Sequence, residues 1–284
     1  MLGEDVQESL VDLVRSNIFY LVLIGLAIAS LVSYVSTGVL AAFYFVVIGV
    51  LLVDELTLKI VIRILRRQFP SFFKSNAFWR VGLPTQVTSL VLSIFLMGLL
   101  GFKEQFGLTL QNMNDGLWLV LLVGLPFAAL YSFGAFVFLR KGQAGTISTL
   151  DSLKNPSDRI GTVVYAFTMP GIGEEILYRG LIQGYLSINM TGFILFGSFP
   201  LLYSTIVASI IFILVHLYTM GESLTEALIQ LPGRTIITLI LAITFQLTGS
   251  LIAPIIIHNL FDGFLVIAGV QATRNRNSNH AKTS

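Results

Sequence analysis

The stretch GIGEEILYRG, residues 171–180, sets two carboxylates and an arginine between long apolar runs. An ionised side chain deep in a bilayer is expensive, so such a group is either paired or functional. The rest of the chain shows that a bilayer is the right solvent to consider. Of 284 residues, 55% are hydrophobic and 11% charged, whereas a soluble domain averages about a quarter charged. Mean hydropathy is +0.85. That balance excludes a cytosolic globular fold and gives no basis for a nucleic-acid partner. The absence of cysteine excludes disulfides, thiolate metal ligands and a cysteine nucleophile.

Apolar runs of about 18 residues or more read as spanning helices. Eight candidates are present, at 17–35, 38–53, 83–101, 116–139, 161–187, 192–218, 223–247 and 251–270. None shows strict alternation, so helices are expected rather than a barrel. The expected fold is therefore all-α and polytopic, with about eight transmembrane helices. Residues 1–16 form an acidic amphipathic N-terminus, unlike the basic start of a secretory signal, so the first apolar run reads as a retained helix. Residues 17–160 are expected to hold the N-terminal transmembrane helices, 161–270 a transmembrane core, and 271–284 a polar tail.

Orientation follows from the basic residues. Fourteen of the 17 Lys and Arg fall at the N-terminus, after the second and fourth spans, and in the tail. Lys103 alone falls on the opposite side, and Arg179 and Arg234 lie within spans. Both termini are thus expected in the cytoplasm, in a multi-pass membrane protein. Within 55–80, Lys59, Arg63, Arg66 and Arg67 recur opposite Leu58, Ile62 and Leu65, which reads as a basic helix in the cytoplasmic interface.

The ionisable residues inside the spans form a small set. Glu174, Glu175 and Arg179 lie in the fifth span, His216 at the end of the sixth, Arg234 in the seventh, and His258 and Asp262 in the eighth, beside Asn259. Glu175 and Arg179 are four apart and share a helix face, so they pair. Glu174 is turned about 100° away and is free to face another element. His258 and Asp262 also face together. Singly, each of these has a structural explanation: an ion pair, an interhelical hydrogen bond, or core packing for Phe212. Together they supply what water activation requires, namely a base, a second polariser and oxyanion donors.

At these residues the chain resembles the CAAX-protease and bacteriocin-processing family of intramembrane proteases, the type II CAAX prenyl endopeptidases and their prokaryotic relatives. The family pattern is EExxxR, then FxxxH, then HxxxN or HxxxD. Here it reads Glu174-Glu175 to Arg179, Phe212 to His216, and His258 to Asp262, in order and on successive spans. The likeness covers about residues 160–270. It implies that Glu174 and His216 activate water, that His258 and position 262 stabilise the oxyanion, and that Glu175 and Arg179 support the site, with Phe212 and Asn259 beside them.

Position 262 is Asp where the prenyl-endopeptidase branch has Asn, and an ionised Asp cannot donate a hydrogen bond. Three explanations stand: a protonated Asp262, an Asp262 that orients His258, or Asn259 acting in its place. The substitution also weakens any claim of a prenylated substrate. The family likeness favours chemistry without a metal, with Zn2+ on Glu174, His216 and His258 as the alternative. Expected partners are a peptide or lipidated-peptide substrate and the lipid bilayer. The rival readings are a non-catalytic scaffold or bacteriocin-immunity protein, and a transporter using the same polar groups.

Depth poses a constraint. A helix starting at Gly161 would carry Glu174 about 20 Å into the bilayer at 1.5 Å per residue, whereas His216 lies near the cytoplasmic end of its span. The two meet only if residues 161–170 are interfacial, or if the helix tilts or breaks at Pro170–Gly171. The active-site cavity is then expected to face the cytoplasm.

Overall fold

A computed structural model of the chain describes residues 39–74, 77–140, 155–219 and 224–283. The first candidate span, the N-terminal segment 1–16 and most of the polar loop at 141–154 lie outside the described residues. Residues 1–60 and 61–284 are separate compact units. The elements in order are α1 (Val39–Gln68), α2 (Phe78–Leu99), α3 (Met113–Arg140), α4 (Pro156–Thr168), α5 (Pro170–Glu175), a π-helical segment (Ile176–Gln183) and α6 (Gly184–Asn189). A two-stranded hairpin follows, β1 (Phe193–Phe196) with β2 (Phe199–Leu202). The chain then forms α7 (Tyr203–Thr219), α8 (Leu224–Thr248) and α9 (Ile252–Thr283).

The chain is a mainly helical integral membrane protein. Among the described residues, four helices are long and apolar enough to cross a membrane: Phe78–Leu99, Met113–Arg140, Gln230–Thr248 and Ile252–Ala272. The side chains of α2 show the solvent they face. Its buried stripe is Gly82, Gln86, Ser89, Ser93 and Met97, while Val87, Val91, Ile94, Phe95 and Leu99 point outward. Small and polar residues lie inside and large apolar ones outside. That reverses a soluble helix and suits a helix packed against helices in lipid. The apolar core joins three helices: Val120 and Ala128 of α3, Ile237 and Leu241 of α8, and Ala253, Ile257 and Phe261 of α9. At one end of this group the connecting segments are stitched by hydrogen bonds. Asn112 donates to the Thr248 carbonyl at 2.9 Å, and Ser250 to the Thr109 carbonyl at 2.8 Å.

Four expectations change. The second span and the first part of the basic segment, 55–68, form one continuous helix, α1, and the rest of that segment leads into α2. The 161–187 run is not one helix. Asn155 caps α4 by accepting the Ser157 N–H, and α4 ends at Thr168. A new helix starts at Pro170, whose missing N–H and fixed φ suit a first helical turn. Of the alternatives that the depth constraint left open, a break at Pro170 is the one present. Third, 192–218 is helical only from Tyr203. The residues before it pair as an antiparallel hairpin, Phe193 with Leu202 through Phe196 with Phe199, which qualifies the all-α expectation. Its two-residue turn needs a positive φ, met by Gly197 at +63°. Gln246 of α8 holds the hairpin: it donates to the Pro200 carbonyl at 2.7 Å and accepts the Leu202 N–H at 3.2 Å. Finally, α9 continues to Thr283, so the polar tail is helical.

Candidate active site

Three elements bring the ionisable residues together. Glu174 and Glu175 sit at the end of α5, His216 in the last turns of α7, and His258 and Asp262 on α9. Where α5 passes into the π-helical segment, Arg179 donates from Nε to Glu175 Oε2 at 3.0 Å, with both side chains fully buried. The expected pair is formed. Short π-helical stretches inside α-helices are frequent at functional sites.

Glu175 has a second partner that local spacing could not show. Its Oε1 lies 2.8 Å from Nδ1 of His258. A carboxylate accepts, so Nδ1 carries the hydrogen and donates. Glu175 therefore bridges Arg179 and His258 and fixes the His258 ring with Nε2 toward the cluster. The guanidinium of Arg179 also lies over the Phe212 ring, 4.9 Å from its centroid. Its Nη1 and Nη2 are buried and make no hydrogen bond. The ring face supplies the favourable contact there, worth up to about 2 kcal/mol when desolvated.

Phe212 makes two further contacts. Its ring stacks on His216 with centroids 4.0 Å apart, and its carbonyl lies 3.0 Å from His216 Nδ1. A carbonyl only accepts, so this ring too donates from Nδ1 and presents Nε2 to the cluster. Both imidazoles aim at one atom, Glu174 Oε2, at 3.2 Å from His216 Nε2 and 3.7 Å from His258 Nε2. That oxygen is buried and makes no aligned hydrogen bond to a protein group. Glu174 does face away from the Glu175–Arg179 pair, as the helical period requires. Its side chain keeps 22% of its exposure and that of Asp262 keeps 30%, so the cluster is reachable from outside while Glu175 and Arg179 are sealed beneath it.

Asp262 Oδ2 lies 3.5 Å from His258 Nε2, beside the same nitrogen that faces Glu174. Asn259 is engaged elsewhere. Its Oδ1 accepts the Gly171 N–H at 2.8 Å, and its Nδ2 donates to the Thr168 carbonyl at 3.3 Å. It clamps the break between α4 and α5. Arg234, on α8, donates to Gln230 one turn earlier at 2.7 Å.

The sequence reading missed one residue of the cluster. Gln86 of α2 donates from Nε2 to Glu174 Oε1 at 2.9 Å. A signal was present, because Gln86 is the one Asn or Gln in the apolar run 83–101, and a polar residue within a span calls for a partner. Opposite it, a Cβ at position 173 would overlap Gln86 Oε1, so glycine allows this approach of α2 to α5. At the entry to α2, Arg80 donates twice to Asp158 of α4, at 2.7 and 3.0 Å, fixing the start of one helix to that of the other.

The donor types around Glu174 suit zinc, but among the described residues no group of three or more His, Cys, Asp or Glu side chains converges on a common metal position. No match was found among curated proteins or among solved structures. A family model does match residues 156–264, the segment from the start of α4 into α9 that contains all three motifs: it is described as type II CAAX prenyl endopeptidase Rce1-like, the family that the motifs resemble.

Proposed function

We propose that the protein is an intramembrane endopeptidase that hydrolyses a peptide bond near the cytoplasmic membrane face, without a bound metal. The observation that carries this reading is the convergence of two oriented imidazole Nε2 atoms on a single oxygen of Glu174, at 3.2 and 3.7 Å. Such a grouping suits a water held between a carboxylate and an imidazole, with a second imidazole beside the scissile carbonyl.

Glu174 Oε2 accepts a proton from the water while His216 orients it. The hydroxide oxygen bonds to the carbonyl carbon, and the carbonyl oxygen takes up the electron pair. When the C–N bond breaks, Glu174 returns the proton to the leaving nitrogen. His258 gives its Nδ1–H to Glu175, so it can donate to the oxyanion only from Nε2 of a doubly protonated ring. Glu174, Glu175 and Asp262 surround that ring and supply counter-charge. This assigns Asp262 a role that needs no hydrogen of its own: it supports the charged His258, whereas an Asn there would donate directly. The family description makes a peptide ending in a Cys-a-a-X sequence with the cysteine prenylated the first substrate to try.

The test is cleavage of fluorogenic peptides, with and without a C-terminal prenyl group, by the purified protein in detergent. Wild type, Glu174→Ala and His216→Ala are compared with and without a strong chelator. Cleavage lost in both variants and indifferent to chelator is the expected result. Wild-type cleavage by Glu174→Ala would refute the mechanism. Loss to chelator with restoration by zinc would replace it with a metal site on Glu174, His216 and His258.

A further inference from the structure

Gln86 lies 70 residues before the matched segment begins, on a helix that carries none of the motifs. It is nevertheless the protein group that fixes one of the two Glu174 oxygens. Its side chain is buried, 7% exposed, and its Nε2–H donates to Oε1 at 2.9 Å. The donor is assigned because a carboxylate can only accept.

The chemistry places an unusual demand on Glu174. A glutamate has three rotatable side-chain bonds, and here one particular oxygen must face two imidazoles. His216 is fixed by its bond to the Phe212 carbonyl and His258 by its bond to Glu175. Glu174 has no such tie on its own helix. Once Oε1 is held by Gln86, rotation of the carboxylate is removed and Oε2 is left directed at both rings. The approach of α2 is itself built for this contact: with glycine at 173, the Gln86 backbone comes so near that an added Cβ would sit 3.0 Å from its Cα.

We infer that Gln86 is the positioning residue of Glu174, supplied from outside the motif-bearing segment to aim the carboxylate at His216 and His258. The inference rests on the reading of Glu174 as the base. Misplacement of a reacting group by about 1 Å costs up to about 10²-fold, and it falls on kcat when substrate binding is untouched.

The experiment compares wild type, Glu174→Ala, Gln86→Leu and Gln86→Asn as full-length protein in detergent, with thermal midpoints recorded. The first measurement is turnover of a prenylated fluorogenic peptide. Gln86→Leu should lower kcat by up to about 10²-fold with KM little changed, and Gln86→Asn, which draws the amide back by one methylene, should fall between. The second is ring 15N NMR of the three histidines, which needs no turnover. The His216 and His258 resonances should move in Gln86→Leu while that of His280 stays. A folded Gln86→Leu with unchanged kcat and unchanged ring resonances overturns the inference. If Gln86→Leu does not fold, wild-type kcat and resonances in Gln86→Asn overturn it equally. Cleavage by Glu174→Ala would instead remove the base reading, and the 15N measurement would still report whether Gln86 positions the carboxylate.

Discussion

Arg179 is the residue whose replacement tests the buried support most directly. Glu175 and Arg179 are fully buried and paired at 3.0 Å, so Arg179→Met removes the charge while keeping an unbranched apolar side chain. It leaves Glu175 as a buried carboxylate with only the His258 Nδ1–H beside it. Breaking a buried pair in this way costs about 3–5 kcal/mol. The remaining hydrogen bond to His258, at 2.8 Å, places the expected loss at the lower end, about 3 kcal/mol. For a chain of this size that lowers the thermal midpoint by about 6–12 °C. The assay is thermal unfolding in detergent, followed by fluorescence, because activity would also report the misalignment of His258. The second variant carries Glu175→Gln with Arg179→Met. The glutamine oxygen still accepts the His258 Nδ1–H and no buried charge is left alone, so the double variant should recover to within about 1 kcal/mol of wild type. A single variant within about 1 kcal/mol of wild type, or a double variant less stable than the single one, would refute the placement of a charged pair beneath the site.

The other expected outcomes concern the two α9 residues beside His258. Asn259→Ala removes the acceptor of the Gly171 N–H and should destabilise the protein by about 1–3 kcal/mol, measured as a fall in unfolding midpoint; Asn259→Asp, which keeps the acceptor, should lose less. Asp262→Asn should retain cleavage because its amide can donate to the oxyanion directly. Asp262→Ala removes the charge at this position without supplying a donor and should lower kcat by about 10²-fold, and equal activity of Asp262→Ala and wild type would remove Asp262 from the site.

Composition alone placed the protein in a membrane, because too few charges remain to solvate a surface in water. Spacing within one helix was equally legible. The positions of Glu175 and Arg179 dictated their pairing, and turned Glu174 toward another element. A break before Glu174 was one of the alternatives readable from depth, since a continuous, untilted helix would have carried it past the depth of His216.

The hairpin at 193–202 was not read, although a Gly-Ser pair between two apolar tetrads was its signal. A run of apolar residues is the same string in a lipid-facing helix and in an exposed strand, and the choice here depends on Gln246, some 44 residues away. The same limit hid the contacts that complete the site. Periodicity describes how side chains are arranged around one axis, whereas contacts between axes depend on where helices cross and at what height. Gln86 against Glu174, Glu175 against His258 and Asn259 against Gly171 are all contacts between helices more than 80 residues apart in sequence. The sequence singled out the ionisable residues within the apolar runs; the packing of α2, α5, α7 and α9 decided which atoms of those residues meet.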